Sequence, residues 1–193
     1  LFFKDESEDV KKTAARNLYA TSLKEYSILT MDLSNSVLFE VANNPNAPHF
    51  EEYAVLIINP VDKVRKAVAS NPKSPRFKDF NLLFDDPSNE VRLSAANNPN
   101  APRHKEFGKL FSDSMEEIRI SAANNPNACS HDEFFKVLVD DSEKVRIIGA
   151  NCVNAVNLPG YTNLYSDPSE KVRMAVLKNP CSTNNEEFDL FFT

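Results

Sequence analysis

Glycine occurs three times and tryptophan not at all in this chain of 193 residues. Hairpin-rich β structure, whose tight turns call for glycine, is therefore a poor fit, and so is a glycine-rich loop cradling phosphates. Cysteine is scarce too. Cys129, Cys152 and Cys181 make an odd number, form no CxxC pair and are too few for the disulfide framework of a small secreted domain, so they read as free thiols. No apolar run approaches the ~18 residues needed to cross a bilayer. Lys and Arg number 22 against 28 Asp and Glu, a net charge of −6. The basic excess that grips a phosphate backbone is missing, which makes nucleic acid the lesser expectation as a partner. With 41% hydrophobic and 26% charged residues the chain is nonetheless a folded protein rather than a disordered one.

Catalytic signatures are absent as well: there is no Gly-x-Ser-x-Gly and no His-Glu-x-x-His. His104 and His131 sit 27 residues apart. At the ~10 Å separation of packed helices they could not ligate one metal directly. No enzyme activity, metal or cofactor is expected. Among 22 Asn there is not one Asn-x-Ser/Thr acceptor, and the opening LFFKDESED lacks the order of a signal peptide. A cytoplasmic setting is the resulting expectation.

What the chain has in abundance is asparagine and proline, 22 and 12 residues, and they recur on a period. Val10, Val37, Val64, Val91, Ile118, Val145 and Val172 are each 27 residues apart, with no insertion. The pattern predicts one repeat domain over 1–193: a partial repeat at 1–9, then seven repeats of 27 residues starting at 10, 37, 64, 91, 118, 145 and 172.

Six repeats place Asp ahead of the first helix (Asp5, Asp32, Asp86, Asp113, Asp140, Asp167), with Pro87 and Pro168 next in two of them. This reads as an N-cap with Pro at the first helical position. About ten residues later the helix stops at Asn17, Asn44, Asn71, Asn98, Asn125 and Asn179, with Cys152 as the exception. Pro usually follows, because Asn tolerates a left-handed cap and Pro cannot continue the helix. Amides in register form a structural ladder in this reading, satisfying backbone groups that the helix end leaves open. A second short helix carries an aromatic in every repeat: Tyr26, Tyr53, Phe80, Phe107, Phe134, Tyr161 and Phe188. Apolar residues follow three and four positions later, so one face turns inward. Such short helices gain stability only by stacking on neighbouring repeats, which predicts an all-α solenoid.

The string VRKAVASNPKSP (64–75), with the aromatic helix and closing Asp that follow it, resembles the leucine-rich repeat variant family over essentially the whole chain. The resemblance implies a right-handed superhelix of alternating α and 3₁₀ helices, with the second segment partly 3₁₀. The family's Cys-rich iron–sulfur module has no counterpart here. The six-residue interval in Asp86/Arg92, Asp113/Arg119, Asp140/Arg146 and Asp167/Arg173 also resembles the HEAT repeat, which implies a ladder of Asp–Arg pairs. Asn59/Arg65 and Asp32/Leu38 break that ladder twice.

Function is read from charge. Lys73, Arg76, Lys78, Arg103, His104 and Lys105, flanked by His49 and His131, form a basic band over repeats two to five, at helix N-termini that attract anions. The expectation is a noncatalytic scaffold that binds an acidic protein or peptide segment along an extended inner surface. The alternative is nucleic acid or phosphate on the same band, as in HEAT-like DNA-binding solenoids. Phe2, Phe3 and the closing Phe191 and Phe192 add two further expectations: end-to-end self-association, or membership of a longer array.

Overall fold

The computed structural model describes residues 2–184 and Phe188. Phe191 and Phe192, two of the four residues behind the end-stacking expectation, lie outside the described residues. The fold is all-α: every regular element among the described residues is an α or a 3₁₀ helix. The chain forms two compact units, Leu1–Ala101 and Pro102–Thr193.

The N-terminal unit contains α1 (Glu8–Arg16), α2 (Asn35–Asn43), α3 (Asp62–Ser70) and α4 (Asn89–Asn97), each nine residues long and each packed on the next. Between them run eight-residue 3₁₀ helices, Lys24–Met31, Glu51–Ile58 and Lys78–Asp85, which also pack consecutively. The C-terminal unit repeats the scheme with α5 (Glu116–Asn124), α7 (Glu143–Asn151) and α8 (Glu170–Lys178). Its second segments are 3₁₀ at Lys105–Ser112 and Thr162–Ser166, and a short α helix, α6, at Phe135–Leu138.

Local chemistry explains the uniform nine-residue helices, though differently from the sequence reading. The Asp is not the N-cap. The cap position is two residues later, at Ser7, Ser34, Val61, Ser88, Met115, Ser142 and Ser169, and its N–H donates to the Asp (or Asn59) Oδ1 at 2.8–2.9 Å. The carboxylate thus fixes the turn that enters the helix, an Asx-type turn. Pro87 and Pro168 lie inside that turn and not at the first helical position.

The helix end is corrected as well. Asn44, Asn71, Asn98 and Asn179 adopt extended backbone, φ near −70° and ψ near 118°, and among the described residues no non-glycine residue has positive φ. The following Pro clashes with an α conformation at the residue before it and drives it extended. Cys152, with no Pro after it, takes the same conformation.

The core is a repeated set. Val37, Val64 and Val91 and the aromatics Tyr26, Tyr53 and Phe80 are buried in the N-terminal unit; Ile118, Val145, Val172, Phe107, Phe134 and Tyr161 are buried in the C-terminal unit. Where the aromatic is Tyr, its hydroxyl donates to the carbonyl of the Ala eleven residues earlier, at 2.7 Å (Tyr26 to Ala15), 2.8 Å (Tyr53 to Ala42) and 3.0 Å (Tyr161 to Ala150). Small residues matter where helices approach closely. A Cβ on Gly149 of α7 would lie 2.7 Å from Leu138 Cδ2 and 3.1 Å from Val137 Cγ1, both of α6.

Two outcomes follow from this packing. Asn71→Ala removes two amide bonds, to carbonyls of Ala42 and Asn44 that keep the Tyr53 hydroxyl and the Ala47 N–H as partners, and takes the acceptor from the Lys73 N–H; it is expected to lower unfolding free energy by about 1–3 kcal/mol, whereas Asn17→Ala, at an exposed position, costs well under about 1 kcal/mol, and urea denaturation followed by circular dichroism compares them. Gly149→Val overpacks the α6–α7 contact and is expected to cost about 1–3 kcal/mol in the same assay.

Candidate functional site

The polar residues singled out by the repeat fall into two interior sets. The first is the asparagine ladder. Asn44 Nδ2 donates to Ala15 O at 2.8 Å and Asn17 O at 3.4 Å; Asn71 to Ala42 O and Asn44 O, both at 3.0 Å; Asn98 to Ala69 O at 2.8 Å and Asn71 O at 2.9 Å. Asn179 does the same in the C-terminal unit, to Ala150 O at 2.8 Å and Cys152 O at 3.1 Å. Each amide oxygen accepts the N–H two residues on, as in Asn127 to Asn125. All five of these amides, Asn125 included, are buried.

The second set is the acid–base ladder, and its pairing differs from the six-residue interval. The Arg does reach the Asp six residues before it, but through that residue's backbone carbonyl: Arg92 to Asp86 O and Arg119 to Asp113 O at 2.8 Å, Arg146 to Asp140 O at 2.7 Å, and Arg173 to Asp167 O. The carboxylate goes to the Arg 21 residues before it. Arg65–Asp86, Arg119–Asp140 and Arg146–Asp167 are two-pronged pairs, with Nε to Oδ2 at 2.6–2.7 Å. Lys11–Asp32 at 2.7 Å is the lysine version. On this pairing Leu38 and Asn59 are partners by position, so the two breaks read from the sequence are one neutral rung, and both residues are buried. The carboxyl of Asp167 is pushed up by burial, but bonds from Arg146 and the Ser169 N–H outweigh that and hold it below the ordinary carboxylate value. Burial pushes the Tyr161 phenol up to about 12.

The basic band is spread over both units, and its members are in different states. In the N-terminal unit Lys73 Nζ donates to Asn46 Oδ1 at 2.9 Å, and Arg76 is ion-paired with Glu51 and stacked over the Phe77 ring at 4.8 Å. Lys78 is exposed, as are Arg103 and Lys105 in the C-terminal unit; His104 is half-buried. His131 is buried and is no surface residue. Its Nδ1 accepts the Glu133 N–H at 3.1 Å, which places the ring proton on Nε2, facing His104 O at 3.3 Å. The sequence gives no sign of this, because a column position alone does not say which way a ring points.

The cysteines are corrected too. Cys129 and Cys152, read as free thiols, form a disulfide with Cα atoms 6.4 Å apart, while Cys181 is free and half-buried. Stacking brings the loop after α5 beside the end of α7, a proximity hidden by their 23-residue separation. Among the described residues no group of three His, Cys, Asp or Glu side chains is placed to hold a metal, and no helix is long and apolar enough to cross a membrane.

One surface feature was missed by the sequence reading. A 3₁₀ helix has three residues per turn, so positions three apart eclipse one another. In the N-terminal unit the eclipsed outer rows are apolar except at Asp85: Ile28, Val55 and Leu82 (39, 45 and 53% exposed), then Met31 and Ile58 (73 and 69%). Their neighbours on the inward side, Leu29, Leu56 and Leu83, are buried. The same rows in the C-terminal unit are polar at Lys109 and Ser112, Lys136, and Asn163 and Ser166, with only Val139 apolar. Apolar residues two and five positions after each aromatic, which lie off the inward face at either an α or a 3₁₀ period, are the signal that would have revealed it.

Compared with models of known protein families and with curated proteins, the chain matches none.

Two measurements check this geometry. Asp167 titrates below its unfolded value near 3.9, so its stabilisation is present above that pH and is lost as pH falls through the lowered folded value. Asp167→Asn is expected to cost about 2 kcal/mol at pH 7, a gap to wild type that closes below about pH 4 in urea titrations at several pH values. For the thiols, alkylation of the unfolded, unreduced chain is expected to label Cys181 alone, and reduction to expose Cys129 and Cys152, read by mass spectrometry.

Proposed function

We propose that this chain is a noncatalytic protein–protein interaction scaffold. The observation that carries the reading is the exposed apolar pair of rows on the 3₁₀ helices of the N-terminal unit, Ile28, Val55 and Leu82 with Met31 and Ile58. Neither the repeat nor the core demands apolar residues there, since the equivalent positions of the C-terminal unit fold with Lys109, Lys136 and Asn163. Contiguous exposed apolar side chains cost solubility, and on a folded protein they mark a place where another molecule binds. The basic residues support docking less well. Arg76 and Lys73 already have local partners, so the anion-attracting charge of that stretch is partly balanced within the chain.

The reading also accounts for what the interior polar groups do. The asparagines and most of the ladder carboxylates are consumed in repeat-to-repeat bonds, leaving surface shape and surface chemistry as the means of recognition. Affinity capture from a lysate tests it with three baits: the parent chain, Ile58→Asp, and the pair Arg76→Glu with Arg103→Glu. A protein retained by the parent and the Arg variant but lost by Ile58→Asp is the expected result. Loss only with the Arg variant moves the site to the basic band, and retention by all three removes both surfaces from the reading.

A further inference from the structure

The apolar rows have a border, and the border has a sign. One 3₁₀ turn before Ile28, Val55 and Leu82 stand Glu25, Glu52 and Asp79, all exposed and none in an ion pair among the described residues. Lys24 and Lys78 precede two of them but lie a third of a turn round the helix, off this face. The face of the N-terminal unit therefore reads across each 3₁₀ helix as acid, aliphatic, aliphatic, except that Asp85 closes the third helix.

Spacing then sets the shape of an occupant. Along one 3₁₀ helix the rows are about 6 Å apart, from three residues at about 2.0 Å each. From one helix to its packed neighbour the step is about 8–10 Å. An α helix lying across the three helices advances about 10.5 Å per heptad, from seven residues at 1.5 Å. Its successive heptads thus meet successive repeats nearly in step, and two apolar positions within each heptad match the two apolar rows. A position flanking that seam then recurs once per heptad over Glu25, Glu52 and Asp79, where a cation is stabilised and a carboxylate is repelled.

We propose that this face docks an amphipathic α helix of a partner protein, about 15–18 residues long, with an aliphatic seam and Lys or Arg repeated every seven residues along one flank. The inference rests on the interaction-scaffold reading and deepens it by naming the partner's chemistry, which is basic and apolar rather than acidic. The polar rows of the C-terminal unit, with Lys109 and with Lys136 held by Glu133, would not accept such a helix, which confines the site to residues 24–85.

The test uses the full chain and three synthetic 18-residue peptides in fluorescence anisotropy at moderate salt. One carries Leu at both seam positions and Lys on the flank, one has Glu on the flank, and one is a scramble of the first. The Lys-flanked peptide is expected to bind at least tenfold more tightly than either of the others. The double substitution Val55→Asp with Ile58→Asp is expected to abolish binding, and Glu25→Lys with Glu52→Lys to turn the preference toward the Glu-flanked peptide. All four substitutions are at exposed positions, so circular dichroism should be unchanged, and Lys109→Glu should leave binding as it was.

Equal binding of the Lys and Glu peptides overturns the basic helix while leaving the scaffold reading intact. So does an absence of peptide binding when the captured partner is still lost with Ile58→Asp. Binding that survives Val55→Asp with Ile58→Asp overturns both the site and the observation on which the scaffold reading stands. Sedimentation of the parent as a dimer that Ile58→Asp renders monomeric assigns the face to a second copy and overturns the partner helix.

Discussion

The side-chain amide that ends the first helix in every repeat but the one closed by Cys152 is the bond on which the rest depends. A nine-residue helix leaves carbonyls open at its end, and burying them unpaired costs about 1–3 kcal/mol each. Asn71 reaches two carbonyls of the preceding repeat, that of Ala42, shared with the Tyr53 hydroxyl, and that of Asn44, shared with the Ala47 N–H, while its oxygen holds the N–H of Lys73 and shapes its own turn. One side chain thus ends a helix, starts the next segment and joins two repeats. The short helices are too small to persist alone, so a contact that is local and inter-repeat at once sets the register for the aromatic and valine columns.

The guanidinium–carboxylate rung does a related job at the other end of the helix. Arg65 and Arg146 tie the loop that enters their own helix, through its carbonyls, to the carboxylate that shapes the entry to the following one. A half-buried ion pair contributes little net stability by itself, because desolvation offsets much of the attraction. Its geometry is what the fold uses, since two prongs and two carbonyls leave a single arrangement. The neutral rung is consistent with that. At Leu38 and Asn59 both charges are absent together, and Asn59 still accepts the Val61 N–H that shapes the turn.

Most of the architecture was legible in the sequence because the period is invariant: Val, Asn and aromatic columns at 27-residue steps are signals that seven copies reinforce. What failed to show was anything that depends on which repeat a side chain reaches. Asp86 looks like the partner of Arg92 when only sequence intervals are counted, yet its carboxylate lies against Arg65. Asn looks like a left-handed cap until the following Pro is given its full steric weight. The basic band looks like a site because cations are conspicuous in an acidic chain, whereas the inward face, three and four residues after each aromatic, draws attention away from the apolar rows at two and five. Finding them there means reading the outward positions of the segment as well as the inward ones: Ile57, four residues after Tyr53, is buried, and Ile58, five after it, is exposed.

The acid–base rung has a consequence for how such a chain changes length. Arg65 with Asp86, Arg119 with Asp140, and Leu38 with Asn59 each span 21 residues, less than one period, so each falls whole within one 27-residue segment. Duplication or excision of a segment starting at its Val carries both members of the rung together. The amides, whose reach of 27 and 29 residues crosses the joint, meet an equivalent backbone carbonyl whatever segment precedes them. Whole periods are therefore interchangeable in this design, and a one-residue insertion, which shifts rung and amide at once, is the change it tolerates least.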